Sequence, residues 1–363
     1  MARTLAGASR WMRDNRRTMG SGLPWSASRG SLPLLVSVVV PCRNEVAYLA
    51  GFLAGVFGQD LPADVMLQVL VADGQSNDGS RQMLDAWQAR EPRLKVVDNP
   101  QRIVSTGLNR AVAIATGEIV VRMDVHTEYD RDYVAQCVRA LQETGATCVG
   151  GPWRPEGESA IARAFESRFG SGGAASRRAD FSGEVDTVYL GAWRREDLLR
   201  LGGFDEALVR NQDDELNLRI VRSGGRVWQS AAIRSRYTPR DSFAALFRQF
   251  YQYGYWKVPV IRKHRLPAAP RHLVPFAFVA GLIVLALAGL VWAPAWGLLG
   301  GVATLYAAAA LSNAWAISPR QAPPIAWAFA CMHLGYGLGF GRALLDAFVL
   351  RRSPGAAVTR LTR

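Results

Sequence analysis

Between residues 34 and 124 short β-branched runs alternate with longer amphipathic ones, a rhythm that few folds accommodate. "LLVSVVV" (34–40), "MLQVLVAD" (66–73), "RLKVVDN" (93–99) and "GEIVVRMD" (117–124) read as strands. Between them, "VAYLAGFLAGVFGQ", "GSRQMLDAWQAREP" and "STGLNRAVAIAT" read as helices. That β-α-β-α order predicts an α/β fold, a mainly parallel sheet covered by helices, with ligands gathering at the carboxyl ends of the strands. The polar clusters fall at those ends.

Near residue 272 the composition changes character. "LVPFAFVAGLIVLALAGLVWA" (273–293) and "AWGLLGGVATLYAAAALSNAW" (295–315) carry no charge and are long enough to cross a bilayer. A third apolar stretch, 325–350, contains His333, Arg342 and Asp346, and its glycines at 335, 337, 339 and 341 suit either close helix packing or a re-entrant turn. The tail holds Arg351, Arg352, Arg360 and Arg363, which favours a cytoplasmic tail, whereas three crossings from a cytoplasmic domain would put it outside. An interfacial or re-entrant third segment removes the conflict. The expected organisation is a basic flexible arm (1–33), an α/β domain (34–235), an amphipathic aromatic and basic interfacial segment (236–272), a membrane region (273–350) and a basic tail (351–363).

The chain of 363 residues, half of them apolar, can bury a large core. Its net charge of +13 suits nucleic acid, an anionic membrane surface or a phosphate-rich substrate, and nucleic acid is the weakest of these because much of the charge flanks the apolar segments. Cys42, Cys137, Cys148 and Cys331 are scattered without a C-x-x-C pair, so neither a zinc knuckle nor a disulfide framework is expected. The arm has no apolar core of the kind a cleaved secretory signal needs.

The clusters that can carry chemistry follow the strands. In "VVVPCRNE" a strand ends at Pro41, followed by Arg43, Asn44 and Glu45; in "VLVADGQSNDGS" a second ends at Asp73, where a ligand contact is expected, while Asp78 and Ser80 also suit a helix cap. "RMDVHTEYD" sets Asp124 and His126 two apart, a spacing that suits Mn²⁺ or Mg²⁺ shared with a diphosphate and, taken alone, equally suits a polar turn. Downstream lie "VYLGAWRRE", "GGFDE" and "NQDDELNLRI", whose Asp213, Asp214 and Glu215 exceed what capping a helix requires and include a candidate general base. "DSFAALFRQFYQYGYWKVPVIRKHR" has aromatic residues at helical spacing among basic ones, as in an interfacial helix. The loop "SRFGSGGAASRRADFSGEVD" carries Arg168, Arg177 and Arg178 and reads either as a linker or as a loop that closes on phosphates.

In this order, over roughly residues 34 to 257, these motifs resemble the family 2 glycosyltransferases of GT-A fold, and the variants "RMDVHT" and "NQDDELNLR" look most like the bacterial exopolysaccharide branch typified by the succinoglycan glucosyltransferase. The resemblance implies that Pro41, Arg43 and Glu45 line a nucleotide pocket, that Asp73 pairs with uracil, and that Asp124 contacts ribose and diphosphate. His126 replaces a metal-binding aspartate, so Asp124 and His126 become the metal candidates. Asp213 matches the catalytic base, with Gln212 where a glutamate would stand. Gly191, Asp214 and Trp256 are acceptor or diphosphate candidates, although the Q-x-x-R-W segment of processive synthases is incomplete and a limited number of additions is expected. The implied activity is inverting, metal-dependent transfer of a hexose, glucose as the leading candidate, from a UDP-sugar to a lipid-linked saccharide. It would act at the inner membrane, multi-pass with a cytoplasmic catalytic domain, in contact with membrane lipids and a polysaccharide-assembly complex. The rivals are a polyprenyl-phosphate glycosyltransferase and a membrane-anchored nucleotide-binding scaffold without catalysis.

Overall fold

The structure, a computed structural model, describes residues 33–267 and 269–359. The basic arm, apart from Pro33, and the tail arginines Arg360 and Arg363 lie outside the described residues.

Strands β1 (Leu34–Cys42), β2 (Val65–Asp73), β3 (Leu94–Asp98) and β4 (Ile119–Arg122) pair in parallel in the order β3-β2-β1-β4. Alternate residues of each strand serve opposite faces. Val36, Val38, Val40, Val69 and Val71 pack with α1 (Val46–Phe57), α2 (Ser80–Gln88) and α4 (Tyr133–Thr144). Val39, Leu70 and Val120 pack on the other face with α3 (Val104–Ile114). Burial on both faces is why these strands are apolar almost throughout.

Beyond β4 the sheet is mixed. It continues through β6 (Cys148–Gly151), β8 (Gly183–Glu184), β9 (Tyr189–Arg194) and β10 (Val227–Gln229) in the full order β3-β2-β1-β4-β9-β6-β10-β8. β9 lies antiparallel to both β4 and β6. A parallel return needs a crossover along a sheet face. Here the preceding segment, α5 (Ala160–Glu166), α6 (Arg168–Ser171) and a 3₁₀ turn at Ala175–Arg177, stays over the carboxyl ends of the strands, so β9 starts there and runs back. A small second sheet, β5-β11-β7, joins Thr127–Tyr129 (β5), Ser235–Tyr237 (β11) and Arg154–Pro155 (β7). Helices α7 (Arg195–Arg200) and α8 (Gln212–Arg222) complete the domain.

Four further helices follow: α9 (Phe243–His264), α10 (Val274–Gly289), α11 (Pro294–Ile317) and α12 (Ala322–Leu344), with a short α13 (Ala356–Thr359) in the tail. Two segments, Pro270–Gly289 and Pro294–Ile317, are long and apolar enough to cross a membrane. The third apolar stretch is one continuous helix, α12, extended by a π-helical turn at Leu345–Val349, without the break that a hairpin needs.

Glycines seat α12 against α9. A Cβ on Gly339 would lie 1.9 Å from the Tyr251 carbonyl oxygen, one on Gly335 2.7 Å from that of Phe247, and one on Gly254 of α9 2.0 Å from that of Tyr336. Toward the hairpin α12 meets the near halves: Gly337 approaches Pro275 and Val279, and His333 Nδ1 lies 2.9 Å from Tyr306 Oη. In the far half nothing comes within 4 Å of a Cβ built on Gly281, Gly297, Gly300 or Gly301, and Val284, Leu287, Val291 and Leu305 are exposed.

Candidate active site

The loops after β1 and β2 are tied to one another. The Asn44 amide donates to Ser76 Oγ at 2.9 Å, the Glu45 amide to Ser80 Oγ at 2.8 Å and the Val46 amide to Asp78 Oδ2 at 3.1 Å. The other Asp78 oxygen accepts from the Ser80 amide and hydroxyl, at 3.0 and 2.7 Å. Asp78 and Ser80 are thus staples that hold Pro41, Arg43 and Glu45 along one wall of a cavity.

After β4 the chain turns at Asp124–His126. Met123 and Val125 enter the core while Asp124 and His126 face the cavity, so the alternation of the strand persists through the turn. Tyr129 Oη closes this turn: it accepts from the Asp124 amide at 2.6 Å and donates to the Asp124 carbonyl at 3.1 Å. The carboxylate of Asp124 takes two bonds from buried Arg122, Nε to Oδ1 at 3.2 Å and Nη2 to Oδ2 at 3.1 Å. Burial works to lower the Arg122 pKa, but Asp124 and Asp213 beside it hold it above its usual value. A carboxylate offers about four lone-pair sites, so Asp124 keeps capacity for another partner.

His126 Nδ1 is buried without a hydrogen-bond partner and lies 3.8 Å from Glu45 Oε1. An unsatisfied imidazole nitrogen beside a carboxylate fits a divalent ion that takes most of its ligands from a bound diphosphate. Among the described residues no group of three or more His, Cys, Asp or Glu converges as a self-sufficient metal site.

The three acids at the start of α8 have three separate fates. Asn211 adopts φ +60° and donates its side-chain amide to the Tyr253 carbonyl at 3.0 Å, which sets the helix start at the cavity. Asp213 lines the cavity, its Oδ1 taking the Asp214 amide at 2.9 Å. Asp214 is paired with Lys257 at 2.5 Å; burial works to raise its pKa, and Lys257 outweighs this and leaves it below the ordinary carboxylate value. Glu215 is fully buried and holds Arg219, Lys263 and His264 at 2.5, 2.9 and 2.9 Å. It fastens α8 to the end of α9.

One cavity of about 1420 Å³ joins these parts. Asp124, His126 and Asp213 face it near the strand ends, and Phe278, Tyr306, Met332 and Tyr336 of the apolar helices line its other end. The loop after α5 is folded over it, with Arg177 stacked 3.7 Å from the Trp153 ring centroid.

Three anticipated site residues stand apart from the cavity wall. Asp73 is buried behind Gly74, its Oδ1 accepting from the Ser76 amide at 3.2 Å with Arg81 3.7 Å away. Gly191 sits inside β9 at φ +111°, where a Cβ would meet the Trp193 ring at 2.6 Å, so its role there is to clear room for that ring. Trp256 is buried, with its indole N–H donating to the Val358 carbonyl at 2.9 Å; it anchors the tail. Its neighbour Lys257 faces the cavity instead. Arg122 escaped notice in the sequence, although a guanidinium at the end of an otherwise apolar strand signals a buried partner.

The geometry agrees with comparisons against known proteins. The "Glycosyl transferase family 2" model matches residues 37–199. The succinoglycan biosynthesis protein ExoA of Rhizobium meliloti (strain 1021) is 31% identical over 318 residues, covering 85% of this chain and 94% of that protein. A dolichyl N-acetyl-alpha-D-glucosaminyl phosphate 3-beta-D-2,3-diacetamido-2,3-dideoxy-beta-D-glucuronosyltransferase of Methanococcus voltae is 25% identical over 270 residues, 70% of this chain and 82% of that one. Among solved structures, the mannosyltransferase PcManGT of Pyrobaculum calidifontis, in complex with GDP-Man and Mn²⁺, superposes with a TM-score of 0.59 at 22% identity, covering 92% of this chain and 96% of the other. That likeness shows the GT-A fold. With the ExoA likeness spanning nearly both chains, the conclusion is direct: this chain belongs to glycosyl transferase family 2 and is a glycosyltransferase.

Proposed function

We propose that the protein moves a hexose, glucose as the leading candidate, from a UDP-sugar to a lipid-linked saccharide with inversion, in exopolysaccharide or cell-surface glycan synthesis. The observation that carries this reading is the single cavity that joins Asp124 and His126 to Asp213 and continues to the apolar helices. Pro41, Arg43 and Glu45 would line the nucleotide, with Asp73 behind the wall holding the turn at Ser76. Asp124 and His126 would hold a divalent ion, Mn²⁺ or Mg²⁺, which supplies charge stabilisation for the departing diphosphate. Arg122 adds a fixed positive charge next to Asp124.

In the reaction Asp213 takes the proton of the acceptor hydroxyl as that oxygen forms a bond to C1 and the bond from C1 to the diphosphate oxygen breaks. Attack from the face opposite the leaving group turns an α-linked donor into a β-linked product. The names of the relatives support the acceptor class: one is a succinoglycan biosynthesis protein, and the other acts on a dolichyl phosphate-linked sugar.

The α10–α11 hairpin is the proposed membrane anchor. Trp292 and Trp296 flank its turn and Trp315 marks the other end of α11; the step from Trp296 to Trp315 is about 28 Å at the α-helical rise and close to the thickness of a bilayer core. With two crossings, and α12 lying between α9 and the near half of the hairpin, the tail with Arg351 and Arg352 returns to the side of the catalytic domain. This meets the positive-inside rule with that domain in the cytoplasm.

Asp213→Asn tests the mechanism. It is expected to lower transfer by at least about a hundredfold, the scale of a general base, while UDP affinity is kept. Retained turnover with a lipid phosphate as acceptor, whose oxygen is already ionised, would transfer the assignment to a polyprenyl-phosphate glycosyltransferase.

A further inference from the structure

Among the described residues Arg177 has no carboxylate partner. Its side chain is only partly exposed, its Nη1 is buried with no hydrogen-bond partner, and no ion pair involving it forms among the described residues. Instead the guanidinium lies over Trp153, and burial pulls its pKa down to about 10 while Tyr253, Tyr237 and Asp213 work against that fall. Arg210 and Arg240 are cavity neighbours of the same group: Arg210 is lowered first by burial and also by Arg240, while Tyr253, Tyr237 and Asp213 raise it. A buried charge with an open donor is costly unless an anion completes it.

We propose that Arg177, with Arg210 and Arg240 beside it, forms a second anion site on the acceptor side of Asp213 and takes the phosphate or diphosphate that joins the acceptor to its lipid. The inference rests on the reading of Asp213 as the base. A base that deprotonates the attacking oxygen stands across C1 from the leaving diphosphate. Arg122 donates through Nε and Nη2 to the carboxylate of Asp124 at 3.2 and 3.1 Å, which puts it on the donor side. Arg177 lies over Trp153, whose ring centroid is 4.8 Å from that of Tyr237; Gln249 of α9 donates to the hydroxyls of Tyr237 and Tyr253 at 3.2 and 3.0 Å, and Arg210 donates to Gln252 of the same helix at 3.3 Å. Tyr253 is in α9, and from there the cavity runs to Tyr306, Met332 and Tyr336, an apolar lining for the first carbons of a lipid chain. A phosphate at the head of an apolar chain matches that sequence of surfaces, and Arg, with its planar fork, is suited to bind it through two donors.

The test uses the full chain in detergent micelles, titrated with farnesyl diphosphate and with farnesol, in the presence and absence of saturating UDP and Mn²⁺. Wild-type protein is expected to bind the diphosphate at least tenfold more tightly than the alcohol, with UDP already bound. Arg177→Gln should lose about tenfold or more in farnesyl diphosphate affinity, the scale of a charge-assisted bond, with UDP affinity kept within twofold, and Arg177→Lys should fall between the two. Mutual exclusion of UDP and farnesyl diphosphate in wild-type protein would overturn the proposal, and that arm needs no variant to fold. Equal loss of both ligands in Arg177→Gln would assign Arg177 to the donor diphosphate, and an unchanged variant would equally refute the site. If UDP fails to bind while the diphosphate preference and its loss in Arg177→Gln remain, the anion site stands and the donor assignment falls.

Discussion

His126 lines the same cavity as Asp124, and its Nδ1 is buried with no hydrogen-bond partner. Such an atom is either a cost without return or a ligand position. On the second reading, His126→Ala should raise the Mn²⁺ concentration needed for half-maximal UDP binding by about tenfold or more, the scale seen when metal sites lose a supporting group. Calorimetric titration of UDP at a series of Mn²⁺ concentrations measures this, and an unaltered requirement would leave Asp124 as the protein's only metal contact. At this scale the sequence was legible where a polar residue ends an apolar run. Asp124 and His126 reach the cavity from such a strand end, and Asp213 reaches it from the first turn of a helix. It was not legible where neighbours compete for one role: nothing in "QDDELNLR" distinguishes Asp213, which faces the cavity, from Glu215, which is fully buried against Arg219, Lys263 and His264. The sorting depends on which way α8 faces, and α9 sets that. Trp256 and Lys257 illustrate the same limit, since adjacent helical residues point about 100° apart and only the packing of α9 decides which one meets the cavity.

The crossing of α9 and α12 carries the mechanical link between the catalytic domain and the apolar hairpin. Gly254, Gly335 and Gly339 allow backbone to approach backbone there, and a Cβ at Gly339 would fall 1.9 Å from the Tyr251 oxygen. Gly339→Ala should therefore destabilise the protein by about 1–3 kcal/mol, the usual cost of overpacking, whereas Gly281→Ala in α10, where an added Cβ meets nothing within 4 Å, should have little effect. Melting temperatures of the two variants in detergent make the comparison, and equal shifts would remove the special role of the crossing. Among the elements, the first four strands and three helices follow the sequence closely because each is set by local composition. The antiparallel β9 does not, because its direction depends on where the preceding loop leaves the chain, and "YLGAWR" reads the same either way. The glycine spacing of α12 likewise fits close packing or a re-entrant turn until its partner helix is known.

As a whole, the molecule is a GT-A domain whose strand-end cavity opens toward helices able to cross a membrane; in the proposed reaction a water-soluble donor and a lipid-borne acceptor would meet there at Asp213. That arrangement was visible in outline from the break in composition near residue 272. The continuity of one cavity from Asp124 to Tyr336 was not, because it is made by folding the 167–186 loop and α12 over the strand ends. The proposed reaction is a single displacement in this shared space. The most direct test reconstitutes the full chain in lipid nanodiscs with Mn²⁺, an α-linked UDP-hexose and a pool of lipid-linked saccharides, and reads the anomeric configuration of the new linkage by proton NMR. A β-linked product is the predicted result; an α-linked product would contradict it.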